Sequence, residues 1–335
     1  MGSNALGWPD IPHATDPPLE EPCYGSRMRF AISIPQHVSD GAFDPAALRG
    51  YLARAEALGF ESAWTQEQVL GSSPRLGPIE VMSYAAACTE RLRLGCAVFV
   101  TPLYGPVHLA KSISTLDQLS RGRLEVGVGT GGRGRMFSGF GVDPDTLVAR
   151  FNESLQLMKA CWTQPKITFD GRFWQLDGAT MEPKPFQKPY PPIWFGANHP
   201  NALRRAVQHG DGFFGAGSTT TARFAEQVQV VRAALAEAGR DADAFPIAKR
   251  VYIAVDDDAT RARQQVADGL EQLYRDFSLP DLTPVAVFGP PDACAQGLRE
   301  VAEAGAGTIL LNPLSGEAEQ IERLAAEVVP QLSGV

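Results

Sequence analysis

The run Leu124-Glu125-Val126-Gly127-Val128-Gly129-Thr130-Gly131-Gly132 reads as a short buried strand that opens into a glycine-rich loop. Glycines let the backbone approach another group closely. Bare amides after a strand, with the Thr130 hydroxyl beside them, suit an anion such as a phosphate. Upstream, Leu116 to Leu119 reads as a helix end, and Gly122 suits the left-handed residue just past it. A second loop of this kind is Gly196-Ala197-Asn198-His199, after the apolar Ile193-Trp194-Phe195. His37, in Ile34-Pro35-Gln36-His37, is the best titrating candidate, because histidine moves protons near neutral pH. Glu67 and Gln68 follow another short apolar run, Ser62-Ala63-Trp64. Gln68 can donate a hydrogen bond but cannot shuttle a proton.

These residues need a frame that brings loop ends together. Strand-like runs are predicted at 29–34, 61–65, 92–98, 123–128, 192–196, 211–215, 247–254 and 307–311. Helices are predicted at 45–58, 79–90, 106–120, 144–162, 200–209, 219–239, 256–275 and 316–332, with an extra one near 291–304. Asp44-Pro45 is a helix start and Gly59 a helix stop. Eight strand–helix alternations predict the α/β class, as a (β/α)8 TIM barrel. Sites in such barrels form at the C-terminal ends of the strands, where His37, Glu67, Gln68 and both glycine loops fall. Residues 1–27 read as an irregular, proline-rich leader and 28–335 as the barrel. Residues 163–191 read as an insertion, with a two-residue hairpin turn at Asp170-Gly171 and then Pro183, Pro185, Pro189, Pro191 and Pro192. Phe277 to Pro291 reads as irregular chain at the mouth.

The chain has 335 residues, 44% of them hydrophobic, enough for a large core in one barrel. A net charge of -8 argues against nucleic acid and anionic membrane surfaces as partners. No apolar run is long enough to span a membrane, and no signal peptide is evident, so a cytoplasmic protein is expected. Five scattered cysteines suggest neither a disulfide framework nor a metal site.

Several stretches, in order, resemble the luciferase-like monooxygenase family. They are Ala55 to Trp64, Arg91 to Gly95, Pro106 to Lys111, Leu116 to Gly132, Arg150 to Leu155 and Pro191 to Gly196. The resemblance runs from about Met28 to Gln331 and implies a luciferase-like barrel with an insertion, using a flavin or a deazaflavin. It places the cofactor phosphate around Gly129, Thr130, Gly131, Gly196, Ala197 and Asn198, and a non-proline cis peptide at Ala97-Val98 under the ring. Glu67 would also touch the cofactor.

The chain departs from the family's deazaflavin (F420) enzymes at two positions. Gln68 stands where they often carry His, and Gly132 where some carry a catalytic Glu. The expectation is therefore a monooxygenase using reduced FMN and oxygen on a small organic substrate, with His37 and Gln68 as catalytic residues and a separate flavin reductase as partner. The alternatives are an F420-dependent oxidoreductase moving hydride, favoured if Arg133 and Arg135 bind an acidic cofactor tail, and a non-catalytic flavin-binding barrel. Phe99, Tyr104, Phe137 and Phe140 are expected around an apolar substrate pocket. Family likeness implies a homodimer.

Overall fold

The computed structural model describes residues 28–38, 42–131, 136–277 and 281–332. The leader, Gly132, Arg133 and Arg135 lie outside them.

Eleven strands occur among the described residues: β1 (Arg29–Ser33), β2 (Ser62–Thr65), β3 (Arg93–Val100), β4 (Leu124–Gly129), β5 (Ile167–Asp170), β6 (Gln175–Ala179), β7 (Ile193–Gly196), β8 (Gly212–Gly215), β9 (Ile247–Val255), β10 (Val287–Gly289) and β11 (Thr308–Pro313). The helices are α1 (Pro45–Ala57), α2 (Pro78–Cys88), α3 (Pro106–Leu119), α4 (Met136–Gly139), α5 (Leu147–Thr163), α6 (Pro200–His209), α7 (Thr221–Ala238), α8 (Ala259–Tyr274), α9 (Pro291–Glu303) and α10 (Glu317–Arg323). Parallel pairing runs β9-β11-β1-β2-β3-β4-β7-β8, and β8 pairs back onto β9, closing an eight-strand barrel. No helix among the described residues is long and apolar enough to cross a membrane.

Local chemistry accounts for the element ends. Asp44 caps α1 by accepting from the Ala46 N–H at 2.8 Å, with Pro45 in the first turn. Thr220 caps α7, and Gly239, at φ 62°, ends it. After α3 the chain turns through two left-handed residues, Arg121 (φ 55°) and Gly122 (φ 85°).

Three features differ from the sequence-based expectation. The hairpin β5–β6 pairs Asp170 with Gln175, so its connection is the four residues 171–174 and not a two-residue Asp-Gly turn. Glu153 on α5 decides this: its carboxylate accepts from the Arg172, Phe173 and Trp174 N–H groups at 3.0, 2.8 and 3.0 Å. The helix expected over 316–332 narrows into α10, a wider turn at Leu324–Val328 and a tight turn at Val329–Leu332. The 277–291 stretch contains β10, which extends the sheet beside the C-terminal end of β9. The insertion docks at the base of the barrel: the Gln187 N–H and side-chain amide both donate to the Asp117 carboxylate on α3. It contains cis peptides at Glu182-Pro183 and Lys188-Pro189.

Candidate active site

Side chains alternate in direction along a strand, so each inward residue is followed two positions later by another. One inner layer is Ala31, Trp64, Trp194, Phe214, Ala248 and Leu310, a cluster separate from the core between sheet and helices. Trp64 and Trp194 meet edge to face at 6.0 Å, and Trp64 lies where a Cβ on Gly95 would be. This layer plugs the barrel.

The next layer towards the C-terminal mouth follows by adding two. On β3, β4, β7 and β8 it consists of Ala97, Gly129, Gly196 and Ala216. On β9, β11, β1 and β2 it consists of Arg250, Asn312, Ser33 and Gln66. Four consecutive strands thus carry almost no side chain, and the other four carry hydrogen-bonding ones. The mouth is half slot, half polar wall.

The slot has a floor. The Ala97–Val98 peptide is cis, as the family likeness implies. The Val98 side chain lies across the two glycines: a Cβ would stand 2.7 Å from its Cγ2 at Gly129, and 2.8 Å from its Cγ1 at Gly196. These glycines therefore make room for Val98 as well as shaping turns. Gly131, at φ 70°, is backed by Val100 in the same way. Thr130 is half-buried and Gly131 exposed at the end of β4; Ala197 and Asn198 follow β7, the neighbouring strand. The Asn198 carbonyl accepts from Thr219 and from Gln227 (3.4 and 3.1 Å), which turns its NH2 group outward as a donor. His199 caps α6 by accepting from the Asn201 N–H at 3.2 Å. The slot thus brings together all the predicted cofactor residues except Glu67, whose carboxylate is engaged at the β2–β3 junction. It accepts from the Val100 N–H at 2.5 Å and from the Tyr104 hydroxyl, and burial still pushes its pKa up.

The polar wall is a directed chain. Arg75 Nη1 donates to Gln66 Oε1 at 2.8 Å, and Gln66 Nε2 donates to Asn312 Oδ1 at 2.9 Å. Gln36 ties the adjoining loops: its amide donates to Gln66 O and Leu76 O and accepts from the Gln66 N–H. Arg250, 6% exposed, reaches across the barrel to Ala97 O at 3.2 Å and Thr65 O at 3.5 Å. Behind the slot, Lys249 points outward, donates to Ala216 O and Arg250 O, and faces the Phe224 ring at 5.9 Å. Burial holds its pKa down to about 7.

The two predicted catalytic residues separate. His37 lines a cavity of about 370 Å³ together with Gln66, Arg75, Asn312 and Glu317. Its Nδ1 lies 3.4 Å from Ser73 Oγ and its Nε2 2.8 Å from the Gln272 amide. Burial, followed by the nearby Arg75 charge, lowers its pKa from the usual 6.5, which favours the neutral ring. Gln68 instead faces the rim, donating to Asp276 at 3.1 Å. Phe99 and Phe137 are fully buried and belong to packing, not to a pocket. Among the described residues no cluster could hold a metal ion.

Arg75, Arg250, Asn312 and Ala216 were not singled out from sequence. A signal existed for Arg250: a charge inside the otherwise apolar run Val251 to Val255 and Ile247 to Ala248 has to be explained by a partner.

Comparison with known proteins agrees with this architecture. The uncharacterized protein y4vJ of Sinorhizobium fredii is 34% identical over 161 residues, 48% of this chain and 46% of that protein, so the match spans about half its length. The F420-dependent glucose-6-phosphate dehydrogenase of Kineococcus radiotolerans is 26% identical over 322 residues, 87% of this chain and 94% of that one. The crystal structure of monooxygenase RslO1 from Streptomyces bottropensis superposes with a TM-score of 0.78 at 24% identity, covering 90% of this chain and 99% of that one. The family model for luciferase-like monooxygenases matches residues 28–308. With its closed parallel barrel and that match, the chain belongs to the luciferase-like monooxygenase family of flavin- or F420-dependent oxidoreductases.

Proposed function

We propose that this protein seats the ring of coenzyme F420 in the slot over Ala97 and Val98 and moves a hydride between it and a small alcohol or ketone held against the polar wall. The split layer carries this reading: four strands are stripped to Ala97, Gly129, Gly196 and Ala216, while the facing four keep polar groups. A flat ring fits a slot without side chains, and the Asn198 amide and the loop at Thr130 and Gly131 suit a phosphate. F420 supplies a carbon that accepts or returns a hydride.

The chain's own groups do the rest. The neutral His37 takes the hydroxyl proton of the alcohol at Nε2, in exchange for its bond to Gln272. For a proton donor at pH 7 the same lowered pKa is the wrong sign, so His37 suits the removal of a hydroxyl proton better than the protonation of activated oxygen. Arg250 holds a fixed positive charge beside the Ala97 carbonyl, where it would offset negative charge on a ring bound there. The F420-dependent relative that spans nearly the whole chain points the same way.

A second reading, oxygenation with reduced FMN supplied by a separate reductase, is favoured by one observation. Gln68 cannot shuttle protons and is turned towards Asp276, which leaves few titrating groups at the mouth. Side-by-side titration of the purified protein with F420 and FMN separates the two. F420 is expected to bind at least about tenfold more tightly, with turnover rising through an apparent pKa below 6.5 that vanishes in His37→Asn. Tight FMN binding without F420 binding overturns the first reading.

A further inference from the structure

The polar wall holds more positive charge than hydride transfer requires. Among the described residues, neither Arg75 nor Arg250 has a carboxylate within ion-pair distance. Each keeps a buried Nε–H without a hydrogen-bond partner. The two lie close enough that the Arg250 charge, after burial, lowers the Arg75 pKa. Two like charges, one buried and one partly so, held near each other are unfavourable until something neutralises them.

The geometry around them is built, not incidental. Gln66 accepts from Arg75 with its oxygen and donates to Asn312 with its nitrogen, and Asn312 Nδ2 donates on to Pro313 O. That fixes which way each amide points and which edge of the Arg75 guanidinium is left over. The adjoining cavity, about 370 Å³, falls in the size range of small-ligand sites. Arg75 and Glu317 are the charged groups among the lining residues, with Arg250 adding positive charge from beside Arg75 rather than from the lining itself. Guanidinium edges match a planar carboxylate with two parallel N–H···O bonds.

We propose that the cavity beside Arg75 binds the carboxylate of a small organic acid, so that the substrate is a hydroxy acid or oxo acid whose reacting carbon faces His37. The substrate class rests on the function proposed above; the anion site itself does not. Arg75 is a specificity residue in this arrangement and Gln66 its positioning residue.

Calorimetric titration of the full chain with lactate, 2-hydroxybutyrate and mandelate, each against its primary amide, tests this. At least one acid is expected to bind about 10- to 100-fold more tightly than its amide, with the preference shrinking as salt is added. Arg75→Gln should erase the preference for the acid over its amide while leaving the cofactor's affinity unchanged, and Arg75→Lys should keep part of it. Should Arg75→Gln not fold, Arg75→Lys carries the test through that partial loss. If every acid binds no better than its amide, or if the preference survives Arg75→Gln, the anion site is wrong. Cofactor titration in the same samples keeps the two ideas apart. Acid preference without any F420 binding supports the anion site and removes the proposed function; F420 binding without acid preference does the reverse.

Discussion

Two buried arginines mark the two ends of the barrel, and they are treated oppositely. Arg123, 4% exposed at the start of β4, donates five hydrogen bonds at 2.8–2.9 Å. The acceptors are the Ser120, Leu92, Ala86 and Thr89 carbonyls and the Thr89 hydroxyl, at the ends of α2 and α3. Every donor of its fork is used. Arg250, as deeply buried at the C-terminal end, makes two long carbonyl contacts, reaches the Tyr252 hydroxyl and leaves Nε idle. A guanidinium that satisfies orphaned carbonyls is a staple. One left short of acceptors is placed for something that arrives later. The contrast follows the division of labour in these barrels, stability at the base and chemistry at the mouth.

The largest expected effect tests the base. Arg123→Met strands at least four carbonyls without replacement donors and should cost roughly 3–5 kcal/mol or abolish soluble expression. Chemical denaturation measures it. A loss under about 1 kcal/mol would show that the base staple is ornamental.

At the other end, Arg250→Met should leave stability within about 1 kcal/mol of wild type, or raise it, because an apolar chain of similar volume replaces a poorly compensated cation. Turnover should fall about 100- to 1000-fold, the scale for losing one fixed charge or donor at a reacting centre. Paired melting curves and steady-state kinetics decide. A large stability loss with intact turnover would make Arg250 a second Arg123.

The slot gives the third test. Gly196→Ala places a methyl 2.8 Å from Val98 Cγ1, which should cost about 1–3 kcal/mol by overpacking and weaken cofactor binding with it. Adding Val98→Ala should recover most of the stability, a coupling of about 1–2 kcal/mol in a double-mutant cycle. Additive losses would mean that Val98 is not what the glycines accommodate.

The last test concerns Lys249, next to Arg250 but facing the helices. Its folded pKa, about 7, lies below the usual lysine value of 10.5, so the unfolded chain binds more protons between those limits. Stability from this group should therefore rise as pH climbs from about 7 towards 10.5 and be least below 7. Lys249→Met should flatten that rise. An unchanged pH profile of the melting temperature would place the ammonium in water.

The sequence alone made the barrel legible. β1 was expected at 29–34 and spans Arg29–Ser33; α1 was expected at 45–58 and spans Pro45–Ala57. Apolar runs bounded by Asp-Pro starts and glycine stops are local signals, and local chemistry sets these ends. Where an element depends on distant partners, the reading failed. β10 is three residues long and exists because Val287 to Gly289 can pair with Ile253 to Val255. The hairpin turn has four residues because a carboxylate from α5 binds it. The cis Ala97–Val98 bond was readable only through family likeness, since nothing in the residues themselves marks it.

What the residues determined by themselves, then, was eight strand–helix alternations, the glycine loops and a histidine at a strand end. What only the tertiary structure decided is which side of each strand faces the barrel axis. In Ile247–Val255 every residue is buried, so burial pattern cannot say whether Lys249 or Arg250 points inward. A slip of one residue would exchange them. Closure of the sheet fixes the register, β9 against β11 and β8, and puts Arg250 in the mouth and Lys249 behind it. The same closure collects Ala97, Gly129, Gly196 and Ala216 into one slot from four strands spread over about 120 positions, a juxtaposition no local pattern encodes.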